Sequence, residues 1–200
     1  NMESRRYNFI PKTNDSLNWF YFDKAFSKEE LDKIKRDVAL LEYTRAATFD
    51  PDLNARKSNI KWIPQNETWD WLYHKLMDLA SAANDEMWQF DLQSAPEQIQ
   101  YTEYNDSELG KYDWHQDNGP NEGSHRKISI TVQLSEDTEY VGGDLCFWNG
   151  GGSLEENIDY APRGSGNVVI FPSYLVHSVK PVTKGMRKSF VLWLGGSTFK

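Results

Sequence analysis

Cysteine is nearly absent from this chain of 200 residues, which contains only Cys146. No internal disulfide can form, so the fold must depend on a buried apolar core, and a reducing compartment is expected. No apolar run reaches the roughly 18 to 20 residues that a membrane-spanning helix needs. We also find no secretory or transit pattern, so the sequence predicts a cytoplasmic protein with no membrane partner.

Basic residues are outnumbered, with 22 Lys and Arg against 30 Asp and Glu and a formal net charge of −8. Binding to nucleic acid normally requires a basic stripe, so no nucleic-acid partner is expected. Two basic clusters stand out, Arg5-Arg6 and the set around Lys33 to Arg36. The second cluster alternates with acids on a predicted helix and is typical of a solvated face. The acidic balance predicts a preference for neutral or basic substrates.

The first half of the chain has helical periodicity. Ser27 and Glu30 form a capping-box pattern before apolar residues at helical spacing, which predicts a helix near 28 to 42. A second helix is predicted from Thr68 to about Trp88. Residues 50–52 mark a turn, and residues 56–62 are polar and then strand-like. The tryptophans here are interpreted as core residues at positions 62, 69, 71 and 88.

From about residue 97 the pattern changes to alternation, and Gly, Pro, Asn and Asp separate short strands. The predicted strands are 98–104, 111–117, 127–134, 144–148, 157–161, 167–171, 175–182 and 187–194. This pattern predicts a mainly β fold with a helical flank, in which a double-stranded β-helix, or jelly roll, is supported by N-terminal helices. We expect one domain over 1–200, with a helical support region at 1–96 and the β core at 97–200.

The segment Trp114-His115-Gln116-Asp117 carries the strongest chemical signal. Residues two apart on a strand point to the same face, so His115 and Asp117 can hold one metal ion together. His177 supplies a third ligand from elsewhere in the fold. Two histidines and one carboxylate are the ligand set of non-haem Fe(II) oxygenases, which leaves coordination positions open. A zinc hydrolase could use the same residue types, but no HExxH pattern occurs.

Arg187 follows His177 by ten positions and begins the last predicted strand. Arg187 and Ser189 share one face of that strand, and Lys188 lies on the other. A guanidinium can form a bidentate, charge-assisted pair with a carboxylate, and a neighbouring hydroxyl can donate one more bond. Arg187 is therefore the favoured carboxylate anchor, with Lys188 as the alternative.

Further motifs surround these residues in a fixed order. They are Tyr104 to Tyr112, Arg126 to Ile130, Tyr140 to Leu145, Pro162-Arg163-Gly164, Ile170 to Ser173, His177 to Val182 and Gly185 to Arg187. Over roughly residues 97 to 195 this series resembles the prolyl 4-hydroxylase-like branch of the 2-oxoglutarate- and Fe(II)-dependent dioxygenases, especially bacterial PKHD-type hydroxylases. The resemblance is specific for cofactor chemistry and less so for substrate.

The resemblance implies roles for individual residues. His115, Asp117 and His177 would bind Fe(II), and Arg187 would bind the distal carboxylate of the co-substrate 2-oxoglutarate. Tyr104 and Ser189 would add hydrogen bonds to that carboxylate, with Tyr101 or Tyr112 as alternatives to Tyr104. The implied reaction uses O2, with ascorbate as an accessory reductant, and hydroxylates an aliphatic C–H with release of succinate and CO2.

The resemblance implies a prolyl residue in a peptide or protein as the substrate. A free amino acid or another small molecule is the alternative, and a non-catalytic jelly-roll binding protein is the alternative of a different class. Residues 118–126 have loop composition and directly follow the metal-binding motif, so they are expected at the mouth of the site. His125 and Arg126 are candidate substrate contacts there. The connection 149–156 is a second candidate rim.

Overall fold

The computed structural model describes residues 18–45 and 54–197. The predicted turn at 50–52 and the pair Arg5-Arg6 lie outside these residues. Neither helix of the described ranges is long and apolar enough to cross a membrane. In chain order the helices and strands are β1 (Phe20–Phe22), α1 (Lys28–Val38), β2 (Thr44–Arg45), β3 (Arg56–Lys57), β4 (Asn59–Ile63), α2 (Asp70–Met87), β5 (Ile99–Asn105), β6 (Lys111–His115), β7 (Arg126–Gln133), β8 (Tyr140–Gly142), β9 (Leu145–Trp148), β10 (Ile158–Tyr160), β11 (Val168–Pro172), β12 (His177–Val179) and β13 (Val182–Gly195).

The strands form two antiparallel sheets that face each other. The eight-stranded sheet has the order β1-β11-β7-β13-β5-β4-β2, with β8 paired to β13, and the five-stranded sheet has the order β10-β9-β12-β6-β3. Phe147 of β9 meets Phe171 of β11 edge-on, with ring centroids 4.9 Å apart, in a core cluster that draws side chains from both sheets. The predicted mainly β fold with a helical flank is therefore confirmed.

Both helices pack on the outer face of the large sheet. Ser27 caps α1 as predicted, since its Oγ accepts from Glu30 N at 3.1 Å and its own N–H donates to Glu30 Oε1 at 2.9 Å. The fully buried Leu72 and Leu76 of α2 pack in one cluster with Phe190 of β13, and each such side chain stabilises the fold by about 1.5–3 kcal/mol. Because side chains alternate along a strand, the intervening residues of β5 and β13 face the interior between the sheets.

The N-terminal half contributes strands as well as helices, so its prediction as a helical support region was incomplete. β1 pairs with β11, β3 with β6 and β4 with β5. The strand-like stretch at 56–62 is confirmed as β3 and β4, whereas β1 and β2 were not predicted. Strands of two or three residues have too little periodicity to be recognised, and they are stabilised by partners far away in the chain. The first helix also ends at Val38, before the predicted position 42.

Two strands near the candidate site begin or end at residues other than those predicted. The strand predicted at 111–117 ends at His115, so Asp117 lies beyond the sheet ladder. The backbone N–H groups of Asp117 and Asn118 both donate to the Ser173 carbonyl, at 2.8 and 3.1 Å, which draws the chain away from strand geometry. The strand predicted at 175–182 is shorter, at His177–Val179, and the final strand already begins at Val182.

Candidate active site

His115, Asp117 and His177 meet at one point between the sheets. β6 and β12 are neighbours, and their register pairs His115 with His177. Asp117 reaches the same point from the turn after β6, with Oδ1 3.3 Å from His115 Nε2 and 3.4 Å from His177 Nε2. The ligand atoms of all three side chains lie within 4.8 Å of one another. The structure therefore brings the predicted metal-binding residues together, although Asp117 is not on the predicted strand.

Backbone carbonyls fix the orientation of both imidazoles. His115 Nδ1 lies 2.7 Å from the Asp113 carbonyl oxygen, and His177 Nδ1 lies 2.8 Å from the Leu175 carbonyl oxygen. A carbonyl oxygen can only accept, so each Nδ1 carries a hydrogen, and in the neutral imidazole Nε2 presents its lone pair. The Tyr112 ring also stacks on His115, with centroids 3.5 Å apart. Both Nε2 atoms are thus held towards Asp117 in the form that binds a metal ion.

The Asp117 carboxylate is held by donors on its other side. Its Oδ2 accepts from Ser129 Oγ at 2.6 Å and from Trp193 Nε1 at 3.0 Å. Ser129 Oγ is in turn 3.0 Å from Ser173 Oγ. These bonds occupy one carboxylate oxygen and leave Oδ1 facing the two imidazoles.

The electrostatics of this cluster favour a positive charge at its centre. Burial opposes the charge of Asp117, but the neighbouring His177 and His115 outweigh it and hold the pKa of Asp117 well below its usual value. Burial likewise opposes a charged His177, yet Asp117 raises the pKa of His177 above its usual value. Burial and the nearby His177 lower the pKa of His115. An ionised carboxylate therefore faces two imidazoles in a position that a bound cation can occupy.

These donors fit one face of an octahedral metal ion. Two ligand atoms bound at about 2.1 Å and at right angles lie about 3 Å apart, close to the two separations from Asp117 Oδ1 given above. Two imidazole nitrogens and one carboxylate oxygen are the donor set that suits Fe(II) with open positions. The residues present therefore fit an iron ion, and His115, Asp117 and His177 would hold it.

One cavity of about 690 Å³ is lined by these three residues and also by Arg187 and Ser189. Arg187 is only 2% exposed, and its Nη1 donates to Ser189 Oγ at 3.4 Å. Among the residues that the structure describes, no carboxylate lies within 4.0 Å of its guanidinium. A buried charge without a counterion is costly, so this guanidinium is suited to an anion that enters the cavity. Gly143 leaves room for Arg187, since a Cβ there would lie 3.3 Å from Arg187 Cδ.

Two of the three candidate tyrosines, Tyr104 and Tyr112, line the cavity, whereas Tyr101 does not. Tyr104 lines the cavity, opposite Arg187 in the register of β5 and β13, and its ring centroid is 5.5 Å from the guanidinium carbon. Tyr101 packs in the helix-side core and donates to Glu103 at 2.7 Å, so it does not face the cavity. Tyr112 lines the cavity beside His115. Of the predicted candidates, Tyr104 is the one placed next to Arg187.

The segment 118–126 lies at the mouth of the cavity, as predicted, with Asn118, Gly119, Pro120 and Gly123 among the lining residues. Arg126, the last residue of this segment, also lines the cavity and is held there by partners within the protein. Arg126 Nε donates to Glu97 Oε2 at 2.7 Å, and the guanidinium lies 3.7 Å from the centre of the Trp193 ring. Arg126 Nη1 also donates to the Asp117 carbonyl at 3.2 Å. Arg126 therefore supports Trp193 and the Asp117 turn.

Sequence reasoning missed most of the residues that hold the Asp117 carboxylate in place. Neither Ser129 nor Trp193 was predicted to form a hydrogen bond with Asp117. Trp193 is 76 positions from Asp117, so no local pattern indicates their hydrogen bond. Trp62 was interpreted as core, but it is 39% exposed and lines the cavity.

Comparison with known proteins finds a family model and relatives that match part of the chain. A family model described as the 2OG-Fe(II) oxygenase superfamily matches residues 99–195. A PKHD-type hydroxylase of Synechococcus sp. (strain CC9902) is 35% identical over 89 residues, which are 44% of this chain and 38% of the relative. One from Idiomarina loihiensis is 30% identical over 100 residues, which are 50% of this chain and 44% of the relative. The match thus spans less than half the length of these relatives.

Solved structures share the fold over most of the chain. A Pseudomonas putida prolyl-4-hydroxylase has a TM-score of 0.65 and 20% identity, covering 90% of this chain and 93% of its own. A Trichoplax adhaerens prolyl hydroxylase in complex with a hypoxia inducible factor peptide fragment has a TM-score of 0.69 and 18% identity, covering 89% and 83%. This likeness confirms the predicted double-stranded β-helix. Through residues 99–195, just under half of its length, this chain is similar to the 2OG-Fe(II) oxygenase superfamily.

Proposed function

We propose that this chain is an Fe(II)- and 2-oxoglutarate-dependent dioxygenase that hydroxylates an aliphatic C–H, most simply that of a prolyl residue in a peptide or protein. The observation that carries the proposal is the buried Arg187, which has no carboxylate within 4.0 Å among the described residues and lies in the same cavity as the His115, Asp117 and His177 cluster. A metal-binding cluster alone would suit a zinc hydrolase, and a cavity alone would suit a binding protein. Neither alternative by itself requires a metal-binding cluster and a buried guanidinium in one cavity.

The proposed roles follow from where each side chain lies. His115, Asp117 and His177 would hold the metal ion, which would supply the site for the co-substrate and O2. Arg187 binds the distal carboxylate of 2-oxoglutarate, while Ser189 and Tyr104 donate to it. Bound Fe(II), 2-oxoglutarate and O2 supply the oxidising chemistry, in which the co-substrate becomes succinate and CO2 and one oxygen atom enters the substrate C–H. The inward faces of β5 and β13 orient the co-substrate and limit access of water to it.

The peptide substrate is proposed from the neighbours and from the shape of the site. One structural neighbour is described as bound to a peptide fragment, and the curated relatives are PKHD-type hydroxylases. In this chain the cavity continues from the metal cluster to an open mouth that includes Trp62 and the segment 118–120. An extended peptide can enter at such a mouth while one side chain reaches the metal.

We propose that residues 18–197 work together as one dioxygenase domain.

The reaction is tested by incubating the protein with Fe(II), 2-oxoglutarate, ascorbate and a library of proline-containing peptides in air. We expect succinate to form in a 1:1 ratio with a product that is heavier than its peptide by one oxygen atom. Omitting Fe(II) or 2-oxoglutarate should abolish both products. Hydrolysis of any peptide without 2-oxoglutarate would instead support a zinc hydrolase.

Tyr104→Phe should raise the KM for 2-oxoglutarate by about tenfold or more, because a hydrogen bond to a charged group contributes about 1.5–3 kcal/mol. Tyr101→Phe is the matched control, since the Tyr101 hydroxyl bonds to Glu103 on the helix side. We expect the control to leave this KM unchanged. Steady-state succinate formation at varied 2-oxoglutarate measures both variants, and a larger effect at Tyr101 would contradict the assigned role of Tyr104.

Trp193→Phe should weaken Fe(II) binding by about tenfold, because partners that orient a metal ligand typically change metal affinity by about 10- to 100-fold. The change removes the bond from Trp193 Nε1 to Asp117 Oδ2 but keeps an aromatic ring for Arg126. Trp148→Phe is the matched control, since Trp148 Nε1 has no hydrogen-bond partner in the described part of the chain. Anaerobic calorimetric titration with Fe(II) compares the two variants. Equal affinities would show that Trp193 does not position Asp117.

A further inference from the structure

Among the described residues, the side chains that line the cavity carry more positive charge than the proposed cofactors require. Arg45 Nη1 pairs with Glu108 at 3.0 Å, and Arg126 pairs with Glu97, so these two arginines are neutralised within the protein. In the proposed complex, Fe(II), dianionic 2-oxoglutarate, Asp117 and Arg187 carry formal charges that cancel. The arginines that line the cavity are Arg45, Arg56, Arg126 and Arg187.

Arg56 is the cavity-lining arginine whose charge these pairs and cofactors do not balance. No carboxylate of the described residues 18–45 and 54–197 lies within 4.0 Å of it. Its partners are neutral, since Nε donates to Ser58 Oγ at 2.9 Å and Nη2 donates to Gln100 Oε1 at 2.6 Å. Ser58 and Gln100 are both buried, so they hold the guanidinium in a fixed position without compensating its charge. Its half-buried side chain faces the cavity.

Arg56 lies close to the metal-binding residues. Its guanidinium carbon lies 4.8 Å from the centre of the Tyr112 ring. The Tyr112 ring lies 3.5 Å from the His115 ring. The guanidinium carbon of Arg56 is therefore no farther from the centre of the His115 ring than these two distances added together. An extended chain covers about 3.3–3.6 Å per residue, so about two residues of a substrate bridge this span.

We propose that Arg56 binds a carboxylate of the substrate, so that the hydroxylated residue either carries that carboxylate or lies next to an acidic residue. The inference rests on the proposed dioxygenase function and narrows its substrate class. It replaces the expectation of a neutral or basic substrate, which came from the net charge of −8. The charge next to the reacting position decides binding more than the distant surface charge, because salt screens charges that are farther apart than about 8–10 Å.

Two matched probe pairs test the proposal and distinguish the source of the carboxylate. The first pair is free L-proline and L-prolinamide, and the second is a doubly capped Ala-Pro-Glu tripeptide and its Ala-Pro-Gln counterpart. Binding is measured by calorimetry on the protein loaded anaerobically with Fe(II) and 2-oxoglutarate. In at least one pair, the carboxylate probe should bind about tenfold more tightly than its amide, since a charge-assisted pair contributes about 1.4 kcal/mol or more.

Arg56→Gln should remove the preference for the carboxylate, whereas Arg56→Lys should retain part of it. Arg45→Gln is the matched control, because Arg45 lines the same cavity but is already paired with Glu108. We expect the control to keep the preference and both glutamine variants to keep wild-type affinity for 2-oxoglutarate. A merely structural role of Arg56 would weaken both members of a pair equally and leave their ratio unchanged.

Several results would overturn the proposal. They are equal binding of carboxylate and amide in both pairs, a preference that survives Arg56→Gln, no binding of any of the four probes, or a loss of 2-oxoglutarate affinity in Arg56→Gln. Failure of the proposed function itself is distinguishable, because the wild-type protein would then bind no 2-oxoglutarate with Fe(II), whatever the probes do.

Discussion

Arg187→Met is expected to raise the 2-oxoglutarate concentration needed for half-maximal succinate formation by about 30-fold to several thousandfold. Removing one partner of a desolvated charge pair costs about 2–5 kcal/mol, and each 1.4 kcal/mol is a factor of about ten. Arg187 is 2% exposed and has no carboxylate partner among the described residues, so in the complex the co-substrate would be its counterion.

Lys188→Met is the matched control for this prediction. Lys188 follows Arg187 on β13 but lies on the other face, outside the residues that line the cavity. We expect wild-type dependence on 2-oxoglutarate in this variant. If Lys188 were the sensitive position and Arg187 were not, the assignment of the inward face of β13 to the co-substrate would be wrong.

The stability of the Arg187 variant gives an independent readout. A buried guanidinium without a counterion opposes folding, so a methionine, which keeps an unbranched apolar stem and removes the charge, should leave the Tm unchanged or raise it. Adding 2-oxoglutarate to the Fe(II)-loaded protein should raise the Tm of the wild type further and that of the variant much less. A large loss of stability in Arg187→Met without ligands would instead indicate that Arg187 serves the fold.

His115→Ala, Asp117→Ala and His177→Ala should each abolish 2-oxoglutarate turnover and stoichiometric iron binding. Each change removes one of three protein ligands, and the remaining two cannot hold one face of the metal ion. The proteins should remain folded, which near-ultraviolet circular dichroism checks. His74→Ala, which removes an exposed histidine of α2, is the control and should retain full activity.

Iron content by mass spectrometry and succinate formation are measured on the same samples of these variants. Full succinate production with stoichiometric iron in any one of the three variants would show that the replaced residue is not a ligand. Loss of iron in the His74 control would show that the measurement does not report on the cavity.

The strands and motifs of the second half of the chain could be predicted from sequence. Apolar and polar residues alternate along the strands, and the motifs are local. The predicted strands at 98–104 and 127–134 differ from β5 and β7 by a residue or so at each end. Arg187 and Ser189 could be placed on one face because side-chain direction on a strand has a period of two residues. The same rule failed for Asp117, because the Ser173 carbonyl ends the strand at His115.

Features that depend on contacts between distant segments could not be predicted. The short strands β3 and β4 bring Arg56 to the cavity only through their pairing with β6 and β5. The hydrogen bond from Trp193 to Asp117 and the stacking of Arg126 on Trp193 likewise join segments that are far apart in sequence. Local periodicity contains no information about such pairs, so the residues that hold the metal ligand and the proposed substrate anchor required the structure.

The central claim is that one cavity binds Fe(II) and 2-oxoglutarate together, with Arg187 holding the co-substrate. It is tested most directly by titrating 2-oxoglutarate into the Fe(II)-loaded protein without oxygen and recording the visible spectrum. We predict a weak charge-transfer band that saturates at one 2-oxoglutarate per protein in the wild type, is absent in His177→Ala, and requires far more 2-oxoglutarate in Arg187→Met. A wild-type protein that shows no band, or a band of equal affinity in Arg187→Met, would contradict this account.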